Sequence, residues 1–340
     1  MISKQLLQWN RKHNHREMPW KGISDPYKIW VSEIILQQTK VEQGEKYYVA
    51  FVKKYPNVAD LANANQEELY TLWQGLGYYN RCKNMMLAAK EIMHSHGGKF
   101  PNTYAEILSL KGIGAYTAAA ISSFAFHQPY AVVDGNVVRV LSRVFAVKDS
   151  FHTAKGKLAF QLLAQSLLSK KEPSAYNQAI MDLGALICRP KNPNCQECPF
   201  QKNCKAYLAD EINIYPTKKT KLVIKERFLH FFLFEDKHHL YITKRTGNDI
   251  WRNLFTFFSI ESDNAEKVEF PNDIKIVHSV EPQVISQLLT HQKITGIFHH
   301  CKTNPQIIAK LNLIQIKKNA LSQFAFPRLL ISFLEKNNYL

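Results

Sequence analysis

Leu110-Lys111-Gly112-Ile113-Gly114, followed at once by Ala115-Tyr116-Thr117-Ala118-Ala119-Ala120-Ile121, is the stretch on which the fold turns. A Gly-hydrophobic-Gly step between two helical runs lets the backbone turn tightly and aims free N–H groups at a phosphate. The combination reads as a helix-hairpin-helix. Alone the step is equally an ordinary turn, but the small-residue helix behind it leads into Val132-Val133-Asp134-Gly135-Asn136 and then NVVRVLSRVF, a further helical run. Asp134 stands where that run begins, the place of an N-cap. A carboxylate accepting N–H bonds there stays ionised, and an ionised carboxylate beside a sugar stabilises the cation that forms during glycosidic cleavage. The two uses are compatible.

Working outward, residues from about Pro26 to Leu208 show apolar side chains at three- and four-residue spacing, broken by Gly, Pro or Asn. Ile29, Trp30, Ile34, Val41, Tyr48 and Phe51 mark one long amphipathic segment or a pair. Further helices are expected near 66–74, 81–95, 114–126, 136–146, 156–168 and 175–187. This half is all-α. Beyond Tyr215-Pro216 a polar basic stretch, Thr217-Lys218-Lys219-Thr220-Lys221, reads as a linker, set at 213–226. The runs FLHFFLF (228–234), LYIT (240–243), LFTFFSI (254–260) and ITGIFHH (294–300) are aromatic and β-branched, hence strands. A closing helix over 326–334 makes the second domain, 227–340, α+β.

The 340 residues suffice for two domains of ordinary size, and with 46% apolar and 21% charged residues the chain is neither disordered nor low in complexity. The formal charge of +16 points to a polyanionic partner, most simply nucleic acid. No apolar run approaches the roughly 18 residues of a membrane span, and the start lacks a signal peptide's apolar core, so an intracellular protein without membrane contact is expected.

Four of the six cysteines, Cys188, Cys195, Cys198 and Cys204, follow C-x6-C-x2-C-x5-C among Pro190, Pro193 and Pro199. In a reducing compartment this spacing suggests a metal centre more than disulfides. One wide and one narrow loop suit a 4Fe-4S cubane; zinc and unrelated buried thiols are the alternatives. Cys82 and Cys301 read as ordinary small residues. The centre need not do redox chemistry, since it can fix a basic loop with Arg189, Lys191, Lys202 and Lys205 against a phosphate backbone.

The hairpin, Asp134 and the cysteine loop together resemble the helix-hairpin-helix DNA glycosylases related to endonuclease III, over roughly residues 5–210. Trp30-Val31-Ser32-Glu33-Ile34-Ile35-Leu36-Gln37-Gln38-Thr39 looks like the MutY-type adenine DNA glycosylases within that group. The resemblance implies an all-α glycosylase region at 1–212 with its 4Fe-4S loop at 188–204, acting on double-stranded DNA. It makes Glu33 the general acid that protonates adenine, a role that suits a partly desolvated carboxyl with a raised pKa. Asp134 then steadies the cationic sugar, while Glu33, Tyr116 or Asn136 helps position a water. Bifunctional members carry a Lys where this chain has Tyr116. A phenol cannot form an imine, so a monofunctional hydrolase is expected.

The resemblance also makes Gln38 an inserting residue, Leu76 and Tyr78 a wedge that offsets the cost of flipping a base, and Lys111, Gly112 and Gly114 phosphate contacts. Lys21 stands where the family commonly has Arg, which puts any adenine contact there in doubt. The second domain resembles Nudix hydrolases but lacks their catalytic helix. Its family role is to read 8-oxoguanine opposite the adenine, with Leu289-Thr290-His291 in place of Phe-Ser-His, so that Thr290 and His291 keep the hydroxyl and imidazole. A polar turn is the plain alternative. The implied function is base excision repair of adenine mispaired with 8-oxoguanine or guanine, by a monomer in the nucleoid-associated cytoplasm. The rivals are an endonuclease III-like lyase for oxidised pyrimidines and a silent mismatch-binding protein.

Overall fold

A computed structural model describes residues 2–217, 224–266, 274–277 and 280–340. Part of the expected linker, 218–223, lies outside them. By contact the chain forms two compact units, 1–63 with 84–220, and 64–83 with 221–340. The segment 64–83, placed by its sequence in the helical half, therefore groups with the second unit.

The helices up to the cysteine loop are α1 (Ile2–His13), α2 (Pro26–Ile35), α3 (Val41–Lys54), α4 (Val58–Ala62), α5 (Gln66–Leu72), α6 (Asn80–Ser95), α7 (Tyr104–Ser109), α8 (Ala115–Phe126), α9 (Gly135–Phe145), α10 (Ala154–Leu167) and α11 (Pro173–Leu186), with α12 (Lys205–Leu208) after it. The segment marked by Ile29 to Phe51 is the pair α2 and α3. The break between them contains Gln38, whose φ of 60° is left-handed and ends helical continuity. In α9, Val137, Val140, Leu141 and Val144 recur at helical spacing and are buried with Phe160, Tyr176, Leu183 and Phe200. Each such side chain contributes roughly 1.5–3 kcal/mol of transfer free energy. α9 packs on α11, and α2 on α8.

In the second unit β1 (Lys225–Phe234), β4 (Phe258–Ser262), β5 (Gln283–Leu288) and β6 (Gln292–Cys301) form one sheet in the order β4-β1-β6-β5. β1 runs parallel to β6, Arg227 opposite Ile294, and the other pairs are antiparallel. A second sheet orders β3 (Phe255–Thr256), β2 (His239–Lys244) and β7 (Ile314–Lys317). The expected strand at 254–260 is thus two strands. The chain changes sheet at Phe257, Thr256 pairing with Thr243 and Phe258 with Phe232. After β6 comes α13 (Pro305–Lys310), and α14 (Arg328–Lys336) closes the unit, stacking Phe333 on Phe298 at 4.0 Å between ring centroids.

Candidate active site

α7, the turn Leu110–Gly114 and α8 make the expected helix-hairpin-helix. Gly112 has φ of 81°, and a Cβ there would meet the Asn84 Cβ at 2.6 Å, so both the turn and its neighbour require glycine. Gly114 is different. Its φ is −100° and open space surrounds its Cβ position; it caps α8 without a side chain, leaving the first-turn N–H groups uncovered. Lys111 is exposed beside them.

Asp134 is the N-cap of α9, accepting the Val137 N–H at 2.7 Å. The Asn136 amide donates to its second oxygen at 2.7 Å. Burial pushes the Asp134 carboxyl up from the usual carboxylate range, while these bonds and the charge of Arg139 pull it back. The approach to Asp134 is held by Asn177, which donates to Ser123 Oγ and the Tyr130 carbonyl, each at 2.8 Å, and accepts the Val132 N–H. Arg139 donates to Asn136 Oδ1 at 2.8 Å and to the carbonyls of Gly184 and Cys188, each at 2.6 Å. A Cβ on Gly184 would stand 2.6 Å from the Asn136 Cβ.

Glu33 sits in the last turn of α2, 8% exposed. Burial pushes its carboxyl up to about 7; a hydrogen bond with Tyr116 opposes the rise and the negative charge of Asp134 adds to it. Tyr116, in the first turn of α8, is raised well above the ordinary phenol range, first by burial and then by the two carboxylates, and so stays protonated. Its hydroxyl also reaches Met181 Sδ at 3.7 Å. Glu33, Tyr116, Asp134 and Asn136 all line one cleft of about 1010 Å³, whose wall also includes Gln38 and Lys21. A carboxyl raised to about 7 and a second carboxyl held by hydrogen bonds thus share one cleft, the kind of pairing that glycosidic cleavage uses.

Two charged residues behind the cleft escaped the sequence reading. Asp182, fully buried on α11, accepts from Asn14 at 2.8 Å, Arg16 at 2.9 Å and Lys21 at 3.1 Å. Lys21 also donates to the Arg16 carbonyl at 2.6 Å, so its ammonium is committed to the loop at the cleft wall. The other is Arg139. A charge within an apolar helical run, alone in the case of Asp182 and one of two arginines in the case of Arg139, was the available signal.

Cys188, Cys195, Cys198 and Cys204 line a second, small cavity, and none is in a disulfide. The buried Arg143 guanidinium reaches Cys188 Sγ at 3.4 Å and donates to the carbonyls of Arg189 and Pro190. Among the described residues no three His, Cys, Asp or Glu side chains are gathered tightly enough to grip a metal ion. The donor set still fits one: four reduced thiols face one space beside a fixed positive charge that suits thiolate ligands. Cys82 and Cys301 are buried.

In the second unit Leu76 is buried and Tyr78 half exposed. Thr290 and His291 are exposed at the tip of the β5–β6 hairpin, whose turn closes with the Leu289 N–H on the Gln292 carbonyl at 2.7 Å. Leu289 packs against the core of the unit. The Tyr78 hydroxyl hydrogen-bonds Thr290 Oγ1.

The family model for the HhH-GPD superfamily of base excision DNA repair proteins matches residues 31–165. An adenine DNA glycosylase of Buchnera aphidicola subsp. Baizongia pistaciae is 37% identical over 253 residues, 74% of this chain and 72% of the relative. That of Buchnera aphidicola subsp. Schizaphis graminum is 33% identical over 299 residues, 88% and 83%. The human adenine DNA glycosylase is 41% identical over 211 residues, 59% of this chain and 38% of the relative. Among solved structures, a thermostable thymine-DNA glycosylase aligns with TM-score 0.56 at 30% identity, over 61% of this chain and 95% of that one. Endonuclease III in a non-covalent complex with DNA shares the fold, with TM-score 0.53 at 21% identity over 62% and 94%. With its hairpin, its cleft and these relatives, the chain belongs to the adenine DNA glycosylases, base excision repair enzymes that hydrolyse the N-glycosidic bond.

Proposed function

We propose that this enzyme releases adenine mispaired with 8-oxoguanine or guanine in double-stranded DNA, by acid-assisted hydrolysis without cutting the strand. The observation that carries the reading is the buried Glu33 carboxyl, raised to about 7 and sharing its cleft with Asp134. At neutral pH a large fraction of Glu33 holds a proton to give to adenine, which turns the base into a leaving group. Asp134, fixed by Val137 and Asn136, faces the cationic sugar as the bond breaks. Tyr116 keeps its proton, offers no amine, and orients the Glu33 carboxyl. A water completes hydrolysis. The Asn136 carbonyl is taken by Arg139 and its amide by Asp134, so its part is to hold the carboxylate.

The four cysteines would hold a 4Fe-4S cluster, which when bound cross-links the loop that carries Arg189, Lys191, Lys202 and Lys205. Those cations, Lys111 and the uncovered N–H groups after Gly114 suit phosphates. Gln38 inserts into the duplex, the half-exposed Tyr78 fills the stack with the buried Leu76 beneath the turn, and Thr290 with His291 reads the opposite base from a Nudix-like domain. A monomer working in the nucleoid-associated cytoplasm is the simplest arrangement.

The test is single-turnover adenine release from a duplex with one adenine opposite 8-oxoguanine, with and without hot alkali. Strand breaks appearing mainly after alkali are expected. Breaks without alkali would indicate lyase chemistry, and binding without release would indicate a mismatch-binding protein.

A further inference from the structure

The turn between α5 and α6 is bent by three residues of positive φ, Gly75 (98°), Gly77 (70°) and Tyr78 (48°). For Tyr78, which has a Cβ, this costs on the order of 1 kcal/mol and persists because its surroundings impose it. The fully buried Trp73 donates its indole N–H to the Gly77 carbonyl at 3.0 Å. From the first turn of α6, Arg81 donates to the carbonyls of Leu76 at 3.2 Å and Gly77 at 3.3 Å. Its guanidinium lies 5.3 Å from the Trp73 ring centroid and 5.8 Å from that of Tyr78. The far end of the Tyr78 ring bonds Thr290 at the hairpin tip. The turn is also tied to the residues before α14, where Gln74 accepts the Phe326 N–H at 3.0 Å. One cation therefore fixes both the backbone of the turn and the ring whose hydroxyl meets Thr290.

We propose that Arg81 is a positioning residue for discrimination of the base opposite adenine, acting through Tyr78 and Thr290. The inference rests on the reading that those two residues meet that base. Lysine in place of Arg81 keeps the charge but loses the flat face that lies over the Trp73 and Tyr78 rings while one of its terminal nitrogens holds both carbonyls.

The experiment measures adenine release by saturating full-length enzyme on duplexes with 8-oxoguanine or guanine opposite the adenine. The proteins are the parent, Arg81→Lys, Arg81→Met, Thr290→Ala and the Arg81→Met/Thr290→Ala double variant, each also followed by thermal melting. The ratio of the two rates should fall about tenfold in Arg81→Met, less in Arg81→Lys, with the double variant no worse than Thr290→Ala alone, the signature of coupled residues. Equal loss on both duplexes, or losses that multiply in the double variant, would show a merely structural role and overturn the proposal. If Arg81→Met does not fold, Arg81→Lys against Tyr78→Phe makes the same test, since Phe keeps the ring and removes the hydroxyl. A parent with equal rates on both duplexes sinks the reading of Tyr78 and Thr290, and the inference with it. A discriminating parent whose Arg81 variants keep the ratio sinks the role of Arg81 alone.

Discussion

In the first unit the buried Glu33 carboxyl meets a phenol and a like charge, whereas in the second the buried Arg227 guanidinium is clasped by two carboxylates. Arg227 donates to Glu261 at 2.6 and 2.7 Å, to Asp249 at 2.7 and 2.9 Å, and to Gln292 at 3.1 Å. The pairing drives Asp249 down to about 2, while burial drives Glu33 up to about 7. A group shifted by desolvation is held ready to exchange a proton; a group shifted by a matched partner is locked out of exchange. The first kind marks a site, and the second marks a brace.

The comparison breaks most sharply at Glu33. Glu33→Gln, isosteric and unable to donate a carboxyl proton, should lower single-turnover excision by at least ~10³-fold with mispair binding retained. Excision at the parental rate would remove Glu33 from the mechanism. Next is Asp134→Asn. Asn caps helices as well as Asp, so melting should change little while excision falls by about 10²-fold or more. A matching loss of stability would make Asp134 a brace like Arg227. For Arg227→Met, urea unfolding should report a loss of about 2 kcal/mol, kept modest because Asp249 and Glu261 are partly exposed to solvent. No loss would mean that the ion pairs contribute little.

The pH responses sharpen the contrast. Raised Glu33 binds its proton more tightly folded than unfolded, so its burial costs nothing below the unfolded value and destabilises as pH rises toward and past about 7. Excision should decline above pH 7, and Glu33→Gln should be more stable than the parent at pH 8 by about 3 kcal/mol, the gain fading toward pH 4. Asp249 has the opposite sign. Its contribution is full above the unfolded carboxylate value and lost as pH falls toward about 2. The smallest effect belongs to Tyr116→Phe, where loss of the hydrogen bond that lowers the Glu33 pKa should move the alkaline limb upward by a fraction of a unit. A downward move would reverse the role given to the phenol.

Much of this was legible before any coordinates. The hairpin at Gly112, the helix opened by Asp134, and β1 and β6 with their aromatic runs stand where their local patterns put them, because each pattern matches the period of its element. α1 was missed although Ile2, Leu6 and Trp9 fall at helical spacing, because the residues between and after them are mostly polar or charged. β5 was missed because it is an edge strand, half exposed along its length. The switch of sheets at Phe257 could not be read, since an unbroken apolar run carries no mark of which partner each half will find. Asp182 and Arg139 lay out of reach for a similar reason. Asp182 gains its meaning from Arg16, 166 residues away, and Arg139 from a carbonyl 49 residues on.

The missing side chain at Gly184 has its own consequence. That position touches no substrate, yet the first carbon of any other residue would press on Asn136, whose amide holds Asp134. Leu186 is the one exposed residue of α11, and a single methyl at 184 would be felt as a displaced carboxylate one helix away. Selection for the chemistry should therefore be written into a residue that takes no part in it.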